Sequence, residues 1–200
     1  MSRPSELDIQ LPETVPVVNI ARARQLKGWM ADLELGWLAV QALRHQTIVE
    51  LGSYAGKTTR CLCDNTGPLS QVYAIDLWQH IAGAGEEFSE AAMEGTLRDF
   101  LNEMRHEVNI GRLIPLRMDH VAASQALLVR PDMVFVDGDH SYEGCRDAIK
   151  AWKPKIARGG LICGHDYNDE KFPGVIKAVK ELLPEARHLK PTTLWAAEVE

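Results

Sequence analysis

The sequence predicts an α/β domain with a mostly parallel sheet, and three observations lead to that fold class. Short apolar, β-branched runs alternate with longer amphipathic segments, which is the pattern of repeated β-α units. Polar clusters that contain glycine follow several of these runs, so the predicted strands end in loops. Two short extended runs, 186–190 and 194–199, are joined by Pro191-Thr192-Thr193 and predict a terminal hairpin.

The composition is that of an ordinary globular protein. Its 200 residues are 46% hydrophobic and 25% charged. A chain of this length can form one hydrophobic core without disulfides or structural metals. The formal charge of −6 argues against a polyanion, so we expect no nucleic-acid partner. The sequence shows no secretory or membrane-spanning run, so we expect no membrane partner and a cytoplasmic location. The four cysteines match no usual zinc spacing and are expected to be reduced and buried.

Two segments precede the first predicted strand. Three prolines, Pro4, Pro12 and Pro16, predict an extended start over residues 1–18. Helical spacing of apolar residues over 20–44 then predicts one or two amphipathic helices. The apolar positions are Leu26, Trp29, Met30, Leu33, Trp37 and Val40. We interpret residues 1–45 as an extension and helical cap, which packs on the sheet edge or serves as a lid or dimer contact, and 46–200 as one globular domain.

The first strand–loop–helix unit carries a candidate ligand site. Residues 47–51 predict a strand, Gly52-Ser53-Tyr54-Ala55-Gly56 forms a glycine-rich loop, and 57–64 predict a helix. Glycine lets the backbone approach a ligand, and the amino end of a helix offers free N–H groups. The next strand, 71–75, stops on Asp76, and an acid at that position suits the two hydroxyls of a ribose.

The middle of the chain predicts a helix, a strand and a second helix. The first helix spans 88–107 and follows a loop at 83–85 that we expect to be mobile. Its inward positions are predicted to be Phe88, Met93, Leu97, Phe100, Leu101 and Met104. Residues 112–116 predict the third strand, and the second helix runs to about residue 129. Asp119 lies between them, where an acid serves equally well as a helix N-cap or as a partner of a nucleobase amino group.

Two later strands end in chemically versatile side chains. The apolar run 132–136 is followed by Asp137-Gly138-Asp139-His140, and the run 160–163 by Gly164-His165-Asp166. Turn preference explains either cluster alone. Because ligands bind outside the carboxyl ends of parallel strands, we expect the two clusters to meet in one site. Helices over 142–152 and 175–183 complete the predicted elements.

Four runs resemble motifs of known methyltransferases. The run Glu50-Leu51-Gly52-Ser53-Tyr54-Ala55-Gly56 resembles motif I of class I S-adenosylmethionine-dependent methyltransferases. The runs 135–142, 159–167 and 173–175 are similar to the macrocin O-methyltransferase-like branch. The resemblance covers about residues 45–183. It implies a Rossmann-like seven-stranded sheet of order 3-2-1-4-5-7-6, with the last strand antiparallel and helices on both faces.

The resemblance also implies where each part of the reaction takes place. S-adenosylmethionine would lie over the tips of strands one to three, and a divalent cation between strands four and five. The implied cofactor-binding residues are Glu50, Gly52, Ser53, Tyr54, Gly56, Asp76, Leu77, Trp78, Asp119 and Asp137. The implied metal ligands are Asp137, His165 and Asp166. Asp139 or His140 is the candidate general base, and Tyr142 and Trp78 either line the substrate pocket or serve as helix start and core.

His165 departs from the family pattern, in which a carboxylate commonly stands at this position. Mg²⁺ prefers oxygen ligands, so an imidazole ligand is unusual for it. Two alternatives for the cation stay open: Mg²⁺ despite the imidazole, or a softer ion such as Mn²⁺, Fe²⁺ or Zn²⁺. A third reading makes His165 a base and requires no metal. The crowding of Asp137, Asp139 and Asp166 favours a cation, because three carboxylates would repel one another.

The predicted function is metal-assisted, S-adenosylmethionine-dependent O-methylation of a small molecule, either a sugar or a phenol or catechol. A P-loop phosphotransferase is suggested by Gly56-Lys57-Thr58, but the loop has three residues between its glycines where the Walker pattern needs four. A nicotinamide dehydrogenase would need G-x-G-x-x-G, which this loop lacks. A non-catalytic S-adenosylmethionine-binding protein and a homodimer both stay open.

Overall fold

One seven-stranded sheet lies at the centre of the computed structural model, which describes residues 17–79 and 86–200. The strands are β1 (Thr47–Leu51), β2 (Gln71–Asp76), β3 (Leu113–Arg117), β4 (Met133–Val136), β5 (Leu161–Gly164), β6 (Arg187–His188) and β7 (Trp195–Glu198). Their order is β3-β2-β1-β4-β5-β7-β6, with β1 to β5 parallel and β7 antiparallel to both of its neighbours. The predicted topology is confirmed. The predicted loop at 83–85 and most of the predicted extended start, residues 1–16, lie outside the described residues.

Helices cover both faces of the sheet. They are α1 (Asp32–Ala42), α2 (Lys57–Asn65), α3 (Glu90–Glu103), α4 (Arg105–Asn109), α5 (His120–Ala126), α6 (Tyr142–Trp152) and α7 (Pro173–Leu182). Neighbouring residues of β1 point to opposite faces, so that Ile48 packs with α1 to α3 and Val49 with α5 to α7. All four cysteines are buried and unpaired, as predicted. Within the described ranges, no helix has both the length and the hydropathy that crossing a bilayer requires.

The segment before β1 packs only in part through the predicted positions, since Met30 is buried and Leu26 and Trp37 pack against the core. A 3₁₀ turn (Ala23–Gln25) precedes α1, and the large residues Trp29 and Leu33 are exposed. The buried positions of α1 are Glu34, Leu35, Leu38, Ala39 and Ala42. Leu33, Trp37 and Val40 recur at helical spacing as well as the buried set, so spacing alone does not decide which face of α1 is buried.

The predicted helix over 88–107 is two helices. Phe88 ends a 3₁₀ turn (Glu86–Phe88), and Ser89 caps α3 by accepting a hydrogen bond from Ala92 N at 3.4 Å. Met104, at φ −91° and ψ 7°, separates α3 from α4. Met93, Phe100 and Met104 are buried as predicted, whereas Leu101 was predicted to face inward but is 40% exposed. Leu101 lies about 100° around the helix from Phe100, at the edge of the buried stripe.

The carboxyl ends of the central strands lie side by side. Leu51 pairs with Ile75 and with Val136, and Val136 pairs with Gly164. The residues that follow these positions therefore emerge at one edge of the sheet. They are Gly52, Asp76, Asp137 and His165, and this edge is where the candidate site lies.

Candidate active site

The glycine loop after β1 requires glycine at both of its ends. Gly52 has φ +93°, and a Cβ there would lie 2.1 Å from the backbone oxygen of Asp137. Gly56 has φ +89°, and a Cβ there would lie 2.8 Å from Met104 Cε. No side chain caps α2 at Gly56, so the first N–H groups of that helix are available to a ligand over the loop.

Asp76 holds the glycine loop in place. Its Oδ2 accepts hydrogen bonds from Ser53 N at 2.8 Å and Tyr54 N at 2.9 Å, and its Oδ1 accepts one from Trp78 N at 2.7 Å. A carboxylate has about four acceptor positions. Three of them are used by the backbone, which leaves one on Oδ1 for the predicted ribose contact. The role of Asp76 in shaping the loop was not predicted from the sequence.

Trp78 stabilises the glycine loop through its indole ring. It was predicted to contact the cofactor or line the substrate pocket, but its side chain is 1% exposed and belongs to the core. The indole Nε1 donates a hydrogen bond to Tyr54 O at 2.7 Å, and the ring centroid lies 5.0 Å from that of Phe100. Burial places the indole in the core, so the alternative core role is the one observed. Leu77, its neighbour, is partly exposed at the same strand end.

Asp119 is the N-cap of α5. Its Oδ1 accepts hydrogen bonds from Val121 N and Ala122 N, both at 2.9 Å. The capping interpretation is confirmed. The contact with a nucleobase amino group stays a prediction, and it would use the second carboxylate oxygen.

Glu50 places a buried carboxyl group beneath the glycine loop. It is 0% exposed, and its Oε2 accepts hydrogen bonds from Ser53 Oγ at 2.6 Å and Thr59 Oγ1 at 2.5 Å. Its Oε1 has no hydrogen-bond partner among the described residues. Burial raises the pKa of Glu50 to about 8. A buried, unsatisfied acceptor is costly, and a cationic ligand group over the loop would satisfy it.

The titration of Glu50 makes a testable contribution to stability. Its carboxyl has an ordinary pKa of 4.5 and a pKa of about 8 in the folded protein, so folding takes up a proton between these values. Stability therefore falls as the pH rises through this window, by up to about 1.4 kcal/mol per pH unit for this group. Glu50→Gln is expected to remove that slope, as measured by urea denaturation at about pH 5 and about pH 8.

The matched control for Glu50 is Glu143→Gln, which removes an exposed carboxylate from α6. This control is expected to keep the wild-type slope. Identical pH dependence in wild type and Glu50→Gln would show that Glu50 is ionised in the folded protein and that the assignment is wrong.

The ends of β4 and β5 bring two acids and two histidines together, as predicted. His140 Nε2 lies 2.8 Å from Asp166 Oδ2. His165 Nδ1 lies 3.3 Å from Asp166 Oδ1 and 3.5 Å from Asp137 Oδ1. Each oxygen of Asp166 therefore faces a different histidine. Asp166 has φ +61°, a left-handed conformation that Asp tolerates better than most residues, and this turn sets the direction of its carboxylate.

The acids and histidines of this cluster shift one another's titration. Burial alone would lower the pKa of His165, but hydrogen bonds to Asp137, Asp166 and Glu34 raise it to about 12. Burial would lower the pKa of His140, but the hydrogen bond to Asp166 raises it. Burial would raise the pKa of Asp166, but the hydrogen bonds to His140 and His165 lower it. Burial raises the pKa of Asp137, although His165 opposes the shift. The negative charge of the carboxylates in the cluster is thus balanced by the positive charge of the imidazolium groups.

The two predicted bases lie in different surroundings. Asp139 Oδ1 accepts a hydrogen bond from Ser141 N at 2.8 Å, and a Cβ on Gly144 would lie 2.3 Å from Asp139 Cγ. The Asp139 carboxylate therefore lies over the first turn of α6, where it shapes the turn. His140 lies in the cluster, and its ring centroid is 4.6 Å from that of Phe172. This geometry favours His140 over Asp139 as the base.

Comparison with known proteins identifies the family. A family model described as a methyltransferase domain matches residues 49–167, more than half of the chain. The chain belongs to the methyltransferase family. The matched region contains the glycine loop, Asp76 and the Asp137–Asp166 cluster. The match confirms that the chain contains a methyltransferase domain, as the sequence predicted.

Individual relatives of this methyltransferase are distant. Uncharacterized protein y4gI of Sinorhizobium fredii (strain NBRC 101917 / NGR234) is 27% identical over 144 residues, which is 69% of this chain and 15% of that protein. The chain therefore spans about 15% of the length of that relative.

Several solved structures share the fold. Cofactor-bound Rv0187 from MTB has a TM-score of 0.68 at 14% identity, over 90% of this chain and 86% of its own. An O-methyltransferase from Bacillus cereus, in complex with SAH, has a TM-score of 0.62 at 13% identity, over 90% and 87%. CalS11, a TDP-rhamnose 3'-O-methyltransferase of calicheamicin biosynthesis, has a TM-score of 0.60 at 16% identity, over 83% and 77%. These likenesses confirm the Rossmann-like fold.

The residues of this methyltransferase fit both groups that the sequence implied. The unsatisfied Glu50 Oε1 suits the amino group of the methionine part of S-adenosylmethionine, and the free acceptor position on Asp76 suits its ribose. Ligand atoms of Asp137, His140 and Asp166 lie within 4.8 Å of one another, which suits a divalent cation. This group contains His140 where the resemblance implied His165. Two carboxylates with an imidazole are typical ligands for Mn²⁺, Fe²⁺ or Zn²⁺.

Sequence reasoning missed two residues of this methyltransferase that lie at the site. Glu34, in α1, is 5% exposed, and its Oε2 lies 3.2 Å from His165 Nε2. The sequence signal that could have identified Glu34 is its position four residues before Leu38, which places an acid on an apolar stripe of the helix. His120 packs against the end of β4, where a Cβ on Gly138 would lie 2.3 Å from its Cε1, and burial lowers its pKa.

Proposed function

We propose that this protein methylates a hydroxyl group of a small molecule, with S-adenosylmethionine as methyl donor. The observation that carries the proposal is the position of the His140–Asp166 pair, which lies at the same edge of the sheet as the glycine loop above Glu50. A donor bound over the loop and a hydroxyl bound at the pair would be neighbours. The whole protein's activity is part of this proposal.

In the proposed mechanism His140 is the general base. Asp166 Oδ2, 2.8 Å from Nε2, orients the ring and stabilises the imidazolium that forms. Nδ1 of His140 is then the nitrogen that accepts the proton of the acceptor hydroxyl. S-adenosylmethionine, when bound, supplies a methyl on a sulfonium, so that the O–C bond forms as the S–C bond breaks. The protein's contribution is to hold the acceptor oxygen in line with that methyl.

A divalent cation would be held by Asp137 and Asp166 together with a histidine nitrogen. When bound, such a cation lowers the pKa of a coordinated hydroxyl. Asp137 and Asp166 come from the ends of adjacent strands, and both direct Oδ1 toward His165. This convergence supports metal assistance as part of the proposed function.

We propose a sugar hydroxyl as the first acceptor class to test, and a phenol or catechol as the second. The motifs over residues 135–142 and 159–167, which are similar to the macrocin O-methyltransferase-like branch, support a sugar. The shared fold with CalS11, which acts on TDP-rhamnose, points to the same class. Acceptor loops are the least transferable part of a fold, so the class is decided by experiment.

The test is a radiolabelled methyl-transfer assay with nucleotide-linked sugars, free sugars and catechols, before and after treatment with a chelator. We expect transfer to at least one hydroxyl acceptor and loss of transfer after chelation. Tight binding of S-adenosylmethionine without transfer to any acceptor would contradict the proposal and favour a binding protein.

The phosphotransferase alternative receives no support from Lys57. Its Nζ lies 3.4 Å from Gly28 O, and its chain packs against Gly28 on the segment before α1. A Walker lysine would instead reach into the loop toward phosphates.

His140→Ala is expected to lower kcat by about 10²- to 10⁴-fold, because it removes the proton acceptor. Cofactor affinity should stay at the wild-type value, since His140 makes no contact with the glycine loop that the structure describes. Steady-state kinetics and calorimetric titration measure the two quantities. His106→Ala, on the exposed face of α4, is the control. Full activity in His140→Ala would assign the proton transfer to another group.

A further inference from the structure

Glu34 carries a carboxylate from α1 to the back of the acid–histidine cluster. Its Oε2 lies 3.2 Å from His165 Nε2 and accepts a hydrogen bond from Ala31 N at 2.9 Å. Its Oε1 accepts hydrogen bonds from Thr193 N and Thr193 Oγ1, both at 3.0 Å. The side chain is 5% exposed. With three other donors holding it, the carboxylate has a fixed position relative to His165.

The two ring nitrogens of His165 face different surroundings. Nε2 faces only the Glu34 carboxylate among the contacts described, whereas Nδ1 faces Asp137 Oδ1 at 3.5 Å and Asp166 Oδ1 at 3.3 Å. Two ligand atoms bound at 2.0–2.2 Å to one tetrahedral cation are separated by about 3.3 to 3.6 Å. The separations of His165 Nδ1 from the two Oδ1 atoms therefore suit ligands of one cation.

We propose that Glu34 is a positioning residue, which holds His165 so that Nδ1 is the third protein ligand of a cation between Asp137 and Asp166. A metal-bound histidine commonly donates its second N–H to a carboxylate, which fixes the tautomer and the ring orientation. Glu34 occupies that position at Nε2. An imidazole ligand makes the site better suited to Zn²⁺ or Mn²⁺ than to Mg²⁺.

The inference rests on the cation site of the proposed function, and it separates the roles of the two histidines. His140 contacts Asp166 through Oδ2, whereas His165 faces Oδ1. A cation held by His165 thus leaves His140 free for proton transfer.

A purely structural role for Glu34 is the competing explanation. The carboxylate caps the start of α1 through Ala31 and joins that helix to the turn before β7 through Thr193. Removing these contacts would lower stability whether or not His165 binds a metal. The deciding measurement must therefore report on the bound metal, and on the nitrogen that binds it, rather than on stability or activity.

The experiment uses the full chain and Zn²⁺ as the probe. Calorimetry gives the Zn²⁺ affinity, and NMR of ¹⁵N-labelled histidine shows which nitrogen of His165 binds zinc and which carries the proton. We expect zinc on Nδ1 and a proton on Nε2. Glu34→Ala should weaken Zn²⁺ binding by about 10- to 100-fold. Glu34→Gln, whose carboxamide oxygen accepts the same hydrogen bond, should restore most of the affinity. Asp32→Ala, which removes an exposed ion pair between Asp32 of α1 and Arg24 of the preceding 3₁₀ turn, should leave the Zn²⁺ affinity unchanged.

Three outcomes would overturn the inference: no Zn²⁺ binding by the wild-type chain, zinc on Nε2 of His165, or wild-type affinity in a folded Glu34→Ala variant. The second outcome is read from the wild-type protein, so the inference stays testable if Glu34→Ala does not fold. The proposed function fails separately. Zinc bound through Nδ1 without methyl transfer would refute only the methylation, whereas transfer that survives chelation would support the methylation without the cation.

Discussion

Asp137→Ala is expected to lower methyl transfer by about 10²- to 10³-fold or more while leaving cofactor affinity close to the wild-type value. The carboxylate lies between the ends of β4 and β5, where its Oδ1 faces His165 Nδ1 at 3.5 Å. Removing it takes away one proposed cation ligand and part of the negative charge of the cluster. The glycine loop contacts Asp137 through its backbone oxygen, which alanine retains, so the cofactor cradle should keep its shape.

Single-turnover kinetics and calorimetric titration with S-adenosylmethionine measure the two effects of Asp137→Ala separately. Asp169→Ala, which removes an exposed acid from the turn after Asp166, is the control and should retain both activity and affinity. A loss of cofactor affinity as large as that caused by changing Asp76 would refute the division of the site into a donor part and an acceptor part.

Asp76→Ala is expected to produce the opposite pattern, with cofactor affinity reduced by about 10- to 100-fold and a less stable fold. The carboxylate holds Ser53 N, Tyr54 N and Trp78 N, so its removal leaves three backbone donors without their acceptor. Each donor left unsatisfied costs roughly 1–3 kcal/mol if it stays buried. The loop would relax to reach water and would no longer present its N–H groups to the ligand.

Asp76→Asn is the matched comparison, because its single carbonyl oxygen can still accept hydrogen bonds from the loop. We expect its stability to lie between those of wild type and Asp76→Ala, as measured by denaturant unfolding, with cofactor affinity reduced in both variants. Wild-type affinity in Asp76→Ala would show that the loop keeps its shape without the acid and that no ribose contact is made.

The parts of the fold that were predictable depend on local patterns. The bounds of β1 and α6 follow from a β-branched run and from Ser141, which caps α6 by accepting a hydrogen bond from Gly144 N. The buried face of α1 was not predictable in this way, because Leu33 and Leu35 begin two stripes of equally good helical spacing. Only the packing of α1 against its neighbours decides between them.

The candidate site likewise has parts that the sequence predicts and parts that it does not. Asp137 and Asp166 could be placed together from the sequence because parallel strands direct their carboxyl ends to one edge. The contact between Thr193 and Glu34, 159 positions apart, has no local signal. The hydrogen bonds from the loop backbone to Asp76 have no local sequence signal either, because they depend on the conformation of residues 52–54.

The carboxylate of Glu34 makes α1 an integral part of the candidate active site, and this changes how the chain should be divided for expression. A fragment trimmed to begin at residue 46 would lack the acid opposite His165 Nε2 and would open the core where Leu35 and Leu38 now pack. Such a fragment would test a damaged protein, so expression vectors should retain the whole of α1.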